Sequence, residues 1–152
     1  MDNLAIWKIF TNPVFAPGIT AWFAAQLMKV ILTWFTSKRM DMSRFVGSGG
    51  MPSSHSALVM AVTMAIGIGE GYDSYLFGLA LTFAMVVMYD AAGVRRAAGD
   101  QARILNRMVG FLFHEEELNQ KQLKELIGHK PIEVLAGAIL GIVVAVVFAI
   151  FT

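Results

Sequence analysis

The stretch PIEVLAGAILGIVVAVVFAIF, residues 131–151, decides the class of fold. Glu133 is its single charged residue. A helix that crosses a bilayer needs roughly 20 mainly apolar residues, and Pro131 suits a first helical turn, where its missing N–H is no loss. Working outward from this run, residues 17–35, 53–69 and 74–92 read as further spans. The first of these follows the breakers Asn12, Pro13 and Pro17 and carries one charge, Lys29. Residues 2–11 suit a short interfacial helix with Trp7 near the headgroups. Between the last two spans lies a polar connection, 93–130. Within it AGDQARILNRMVGFLF reads as an amphipathic helix and HEEELNQKQLKELIG as a solvated helix or loop.

Composition points the same way. Of 152 residues, enough for a single membrane-embedded domain over 1–152, 57% are hydrophobic and 15% charged. Soluble domains carry about 25% charged residues, so this chain lacks the polar surface to cover itself in water. The mean hydropathy is +0.62. The expectation is an all-α integral membrane protein, a small bundle of about four transmembrane helices with a polar cytoplasmic connection before the last. A net charge of +1 gives no reason to expect a nucleic-acid partner. The absence of Cys excludes disulfides, thiolate metal sites and a Cys nucleophile. The opening MDNLAIWKIF lacks a basic n-region and a small-residue cleavage site, and reads as mature sequence. Four short spans leave much surface facing lipid, which suits a homodimer.

Four spans place the 36–52 and 93–130 connections on one side of the membrane, with the 70–73 turn and both termini opposite. Of the 12 Lys and Arg, all but Lys8 fall on the first side. The positive-inside rule makes that side cytoplasmic, in what reads as a bacterial cytoplasmic membrane.

The residues able to do chemistry gather on the same side. In GGMPSSHSA, residues 49–57, Ser53 or Ser54 can cap a helix start. The free amides there make an anion site, with His55 adjacent. In YDAAGVRR, Arg95 and Arg96 close a span, where a cation offsets the helix dipole and reaches the headgroups. In GHKPIEVLAGAILG, His129 and Glu133 are one turn apart. A carboxylate there can accept from the imidazole N–H and leave the other nitrogen free as base or nucleophile. Lys29 sits within a span, where a charge pairs or lines a cavity unless it snorkels. Lys38 and Arg39 follow it. Gly137 and Gly141 form a GxxxG, ordinarily a helix-packing device. The HEEE at 114–117 lacks the second His of a zinc HExxH motif and reads as a solvated loop. Two histidines, a carboxylate, hydroxyls, amides and cations at one interface suit a phosphoryl group, whose transfer asks for positioning and charge neutralisation.

Together MPSSHSA, YDAAGVRRAAG, QARILN and GHKPIEVLAGAILG resemble the divergent branch of the phosphatidic acid phosphatase type 2 superfamily. That superfamily includes lipid phosphate phosphatases, bacterial acid phosphatases and vanadium haloperoxidases. The resemblance covers about residues 10–150. Pro52-Ser53-Ser54-His55 is similar to the second superfamily motif, with Ser54 in place of Gly. Arg95 or Arg96 corresponds to the third motif's Arg. His129-Lys130-Pro131-Ile132-Glu133 corresponds to its His-x-x-x-Asp, after an insertion of about thirty residues and with Glu for Asp. Lys29, or Lys38 with Arg39, corresponds to the first motif, which here lacks its Pro.

The resemblance implies a phosphatase in which His129, steered by Glu133, attacks phosphorus to form a phosphohistidine. His55 protonates the leaving alkoxide and then activates water. Lys29, Lys38, Arg39, Ser53, Ser54, Arg95 and Arg96 supply the phosphate ligands. It implies no metal and no cofactor, since the cations take that role. The substrate is then a lipid phosphate, monoester or pyrophosphate. A cytoplasmic face favours phospholipid-synthesis intermediates such as phosphatidylglycerol phosphate or phosphatidate. A second reading keeps the same pocket for binding or translocating a lipid phosphate without turnover. A third makes the chain a structural membrane subunit.

Overall fold

The computed structural model describes residues 7–37, 50–112 and 128–151. All regular structure among them is helical. It comprises α1 (Trp7–Phe10), α2 (Phe15–Ser37), α3 (Ser54–Glu70), α4 (Tyr75–Ala92), α5 (Val94–Leu112) and α6 (Pro131–Phe151). Phe15–Phe35, the run beginning at Tyr75, and Pro131–Phe151 are long and apolar enough to cross a membrane, and α3 is a shorter apolar helix. The protein is therefore an all-α membrane protein with the four apolar helices expected.

Local chemistry fixes the helix ends. The Asn12 side-chain oxygen accepts from the N–H groups of Val14 and Phe15 at 2.9 and 3.0 Å. This starts α2 two residues before Pro17, so the proline does not break the helix as its sequence position suggests. Pro17 falls in the first turn, where a missing N–H costs nothing. Ser53 caps α3 by accepting from the Ser56 N–H at 3.4 Å, and Ser74 caps α4 by accepting from Phe77 at 3.2 Å. The α3–α4 turn needs Gly71, whose φ of 94° lies where side chains are strained. The four-residue α1 lies within the expected interfacial helix; residues 2–6 of that expectation lie outside the described residues.

The core is built from small residues. α3 is central: α2, α4 and α6 all pack on it, α6 most extensively. Ala57 and Ala61 of α3, Ala21 and Ala25 of α2 and Ala145 of α6 form one buried cluster. Gly137 and Gly141 of α6 lie against the carbonyl oxygens of Ser53 and Ala57, so close that an added Cβ would collide with them. Lipid tails are as apolar as leucine, so helices in a membrane gain by close backbone packing rather than by burying large side chains. The large residues accordingly face outward, among them Leu79, Phe83, Val86 and Ile150. Thr63 of α3 donates to the carbonyls of Val59 and Ala80 at 2.7 and 3.3 Å, tying α3 to α4.

Candidate functional site

The site is assembled where α6 begins. Glu133 stands in the first turn of α6, where it offsets the positive end of the dipole. Its Oε2 accepts from the backbone N–H of Lys130 at 3.1 Å, the reach-back arm of a capping box. The same oxygen lies 3.1 Å from His129 Nδ1. An oxygen already accepting from one N–H is an acceptor for the imidazole too, which puts a proton on Nδ1; in the neutral ring the lone pair is then that of Nε2. Only 3% of His129 is exposed.

Backbone bonds bring three helix ends together around this pair. The His129 N–H donates to the Ala91 carbonyl at 3.1 Å, and the Ser53 N–H donates to the Glu133 carbonyl at 2.9 Å. The start of α3, the start of α6 and the end of α4 therefore meet at one end of the bundle. His55, half-buried in the first turn of α3, lies two residues beyond Ser53. His55 and His129 thus belong to the two segments that the Ser53–Glu133 bond joins, at one end of the bundle.

α2 adds the cation. Lys29 is buried, and its ammonium donates to Gln26 Oε1 at 2.9 Å and to Ser54 Oγ at 3.2 Å. Ser54, the residue that departs from the superfamily pattern, thus contributes a hydroxyl that holds the lysine. Ser53 is fully buried, and its Oγ accepts from the Ser56 hydroxyl at 3.0 Å.

Of the residues singled out in the sequence, His129, Glu133, Ser53, Ser54, Lys29 and His55 come together. Arg95 and Arg96 stand in the first turn of α5, close in sequence to Ala91, and their side chains lie outside the described part. Lys38 and Arg39 lie outside the described residues, as does the HEEE segment. Gln26 and Ala91 were missed. Gln26 left a signal: a polar residue inside a span, three positions before Lys29 and hence on its face of the helix. Ala91 left none, because it takes part through its carbonyl.

Chemically, the cluster can present an oriented imidazole, a second imidazole, a cation and helix-start groups to an anion. Comparison with known proteins adds the following. Residues 10–144 match the family described as "Divergent PAP2 family". The chain is 39% identical over 155 residues to the uncharacterized membrane protein YuiD of Bacillus subtilis (strain 168), with 95% of this chain and 98% of that protein covered. No solved structure matches the chain.

Proposed function

The chain belongs to the divergent PAP2 family, and on that premise we propose that it is a membrane-embedded phosphatase acting on a lipid phosphate. The observation that carries this reading is the contact of 3.1 Å between His129 Nδ1 and Glu133 Oε2. Holding an anion needs only cations, whereas a base or nucleophile needs an imidazole with one nitrogen tied down, as His129 has.

In this mechanism His129 Nε2 attacks phosphorus, the P–N bond forms and the bond to the lipid oxygen breaks. His55, protonated, gives its proton to the leaving alkoxide. Neutral His55 then takes a proton from water, whose oxygen attacks the phosphohistidine, and phosphate departs as the P–N bond breaks. Lys29, set by Gln26 and Ser54, faces the charge on the phosphoryl oxygens, with Arg95 and Arg96 as further candidate ligands and Lys38 and Arg39 as a flanking pair. The lipid tail stays among the spans while the headgroup meets the cationic end. The strong bias of Lys and Arg to that side supports a cytoplasmic site face.

The test is phosphate release from phosphatidate, phosphatidylglycerol phosphate and an isoprenoid pyrophosphate by purified protein in detergent. It is run on wild type, His55→Ala and His129→Gln, with folding checked by thermal unfolding. The expected result is release by wild type and none by folded His129→Gln. Binding of these lipids without release by wild type would overturn the proposal in favour of a lipid-phosphate-binding or translocating protein.

A further inference from the structure

α5 has a destination that the site does not explain. It follows α4 after the single residue Gly93. Because the Ala91 carbonyl accepts from His129, the chain enters and leaves the 92–130 connection at the same membrane face. With four arginines and one aspartate among its 19 residues, α5 is too polar to cross. It sits outside the spanning bundle, and its only sizeable contact among the described elements is with α4.

Its sequence, VRRAAGDQARILNRMVGFL, is two-faced. At helical spacing Val94, Leu105, Met108 and Val109 share one stripe, flanked by Ile104, and all five are exposed, between 37% and 58%. Opposite them run Asp100, Arg103, Asn106, Arg107 and Gly110. Such a stripe is costly to leave in water, at roughly 25 cal/mol per Å² of apolar surface. The helix is too polar to be a span and too apolar along one side to be solvated. A basic amphipathic helix of this kind lies in a membrane interface, its apolar side sunk below the headgroups.

We propose that α5 lies along the leaflet on the site side, with its apolar stripe in the upper acyl region and Arg107 on acidic phospholipid headgroups. Three observations select this occupant. α4 is already in the membrane one residue earlier, so α5 starts at the bilayer surface. The helix carries four arginines against one aspartate, a charge that complements an acidic leaflet. Among the described residues Arg103 pairs with Asp100 at 3.0 Å, and Arg107, exposed on the same face, is placed to meet an outside anion. Acidic lipids would thereby collect beside Ala91 and His129, whether or not the site turns over a phosphate.

The chain has no Cys, so single cysteines can be labelled without removing others. Nitroxides are placed at Leu105→Cys and Met108→Cys on the apolar stripe, and at Asn106→Cys and Gly110→Cys opposite. At Gly110 a side chain meets nothing within 4 Å. The protein is reconstituted in vesicles of phosphatidylglycerol and phosphatidylcholine. Oxygen, which partitions into lipid, should relax the first two labels severalfold more than a water-soluble nickel chelate does, and the order should reverse for the second two. A headgroup-labelled phosphatidylglycerol should approach position 110 severalfold more often than the matching phosphatidylcholine, and Arg107→Gln should reduce that preference. Apolar-side labels that are open to the nickel chelate, or shielded from both reagents as in a protein contact, would overturn the proposal. So would equal approach of the two lipids.

Discussion

The Ser53 N–H donates to the Glu133 carbonyl across 2.9 Å, so the turn that opens α3 is fastened to the turn that opens α6. The bond uses a carbonyl in the same residue whose carboxylate orients His129. Packing of the two helices and placement of the imidazoles are thus one problem, and substitutions along the α3–α6 seam should read out at the site.

Gly137 and Gly141 test that seam. A Cβ at either position meets the backbone of α3, which cannot swing aside as a side chain can. Gly137→Ala and Gly141→Ala should each destabilise by about 1–3 kcal/mol, the usual cost of overpacking. Gly78→Ala on α4, where nothing lies within 4 Å, should be neutral or stabilising by up to about 1 kcal/mol. Reversible unfolding in detergent measures all three.

Glu133 separates orientation from charge. Glu133→Gln keeps an oxygen for the Lys130 N–H and loses the carboxylate that holds His129 Nδ1. Phosphate release should fall on the order of 100-fold, mainly in kcat, with little change in melting temperature. Glu133→Asp withdraws the carboxylate by one methylene from both His129 and Lys130. It should lose activity to a similar degree, even though Asp is the residue of the wider superfamily pattern.

Lys29 ties stability to a buried polar pair. Removing one partner leaves the other unsatisfied at about 1–3 kcal/mol, so Lys29→Met should melt below wild type. Vanadate, a phosphate analogue, should stabilise wild type more than this variant. Gln26→Leu leaves the ammonium in place with one fewer acceptor and should cost about 1.5–3 kcal/mol. In the double variant that penalty should largely vanish, which a double-mutant cycle by thermal unfolding will show.

Thr63 gives a smaller effect. Its hydroxyl reaches the Ala80 carbonyl at 3.3 Å, and polar contacts between helices in membranes average about 0.6 kcal/mol. Thr63→Val should destabilise by about that amount.

Much of this architecture was legible in the residues. The four apolar helices announce themselves by length and by the scarcity of charge, and of the two serines able to cap α3 it is Ser53 that does so. The His129–Glu133 pair could be read from its one-turn spacing, even though His129 precedes the helix. The small residues Gly137 and Gly141 marked a packing seam, but not that α3 would be the partner. What stayed hidden depends on packing between distant segments. The Ala91 and Glu133 carbonyls are acceptors that every residue possesses, so no side chain advertised their partners. Ser54 looked like an intrusion where a glycine was expected; only the approach of α2 makes its hydroxyl a support for Lys29.

The central helix is also the shortest of the four long apolar ones. Its 17 residues extend about 25 Å at 1.5 Å per residue, against a hydrocarbon thickness of about 30 Å. α2 meanwhile continues from Lys29, level with Ser54, to Ser37, roughly two further turns. The site end of α3 therefore lies about two turns short of the end of α2. A leaflet that follows α2 would bury that end, and one that follows α3 would dip around it. Host-lipid acyl length then becomes a control variable, with thin bilayers bringing the site end nearer the aqueous phase.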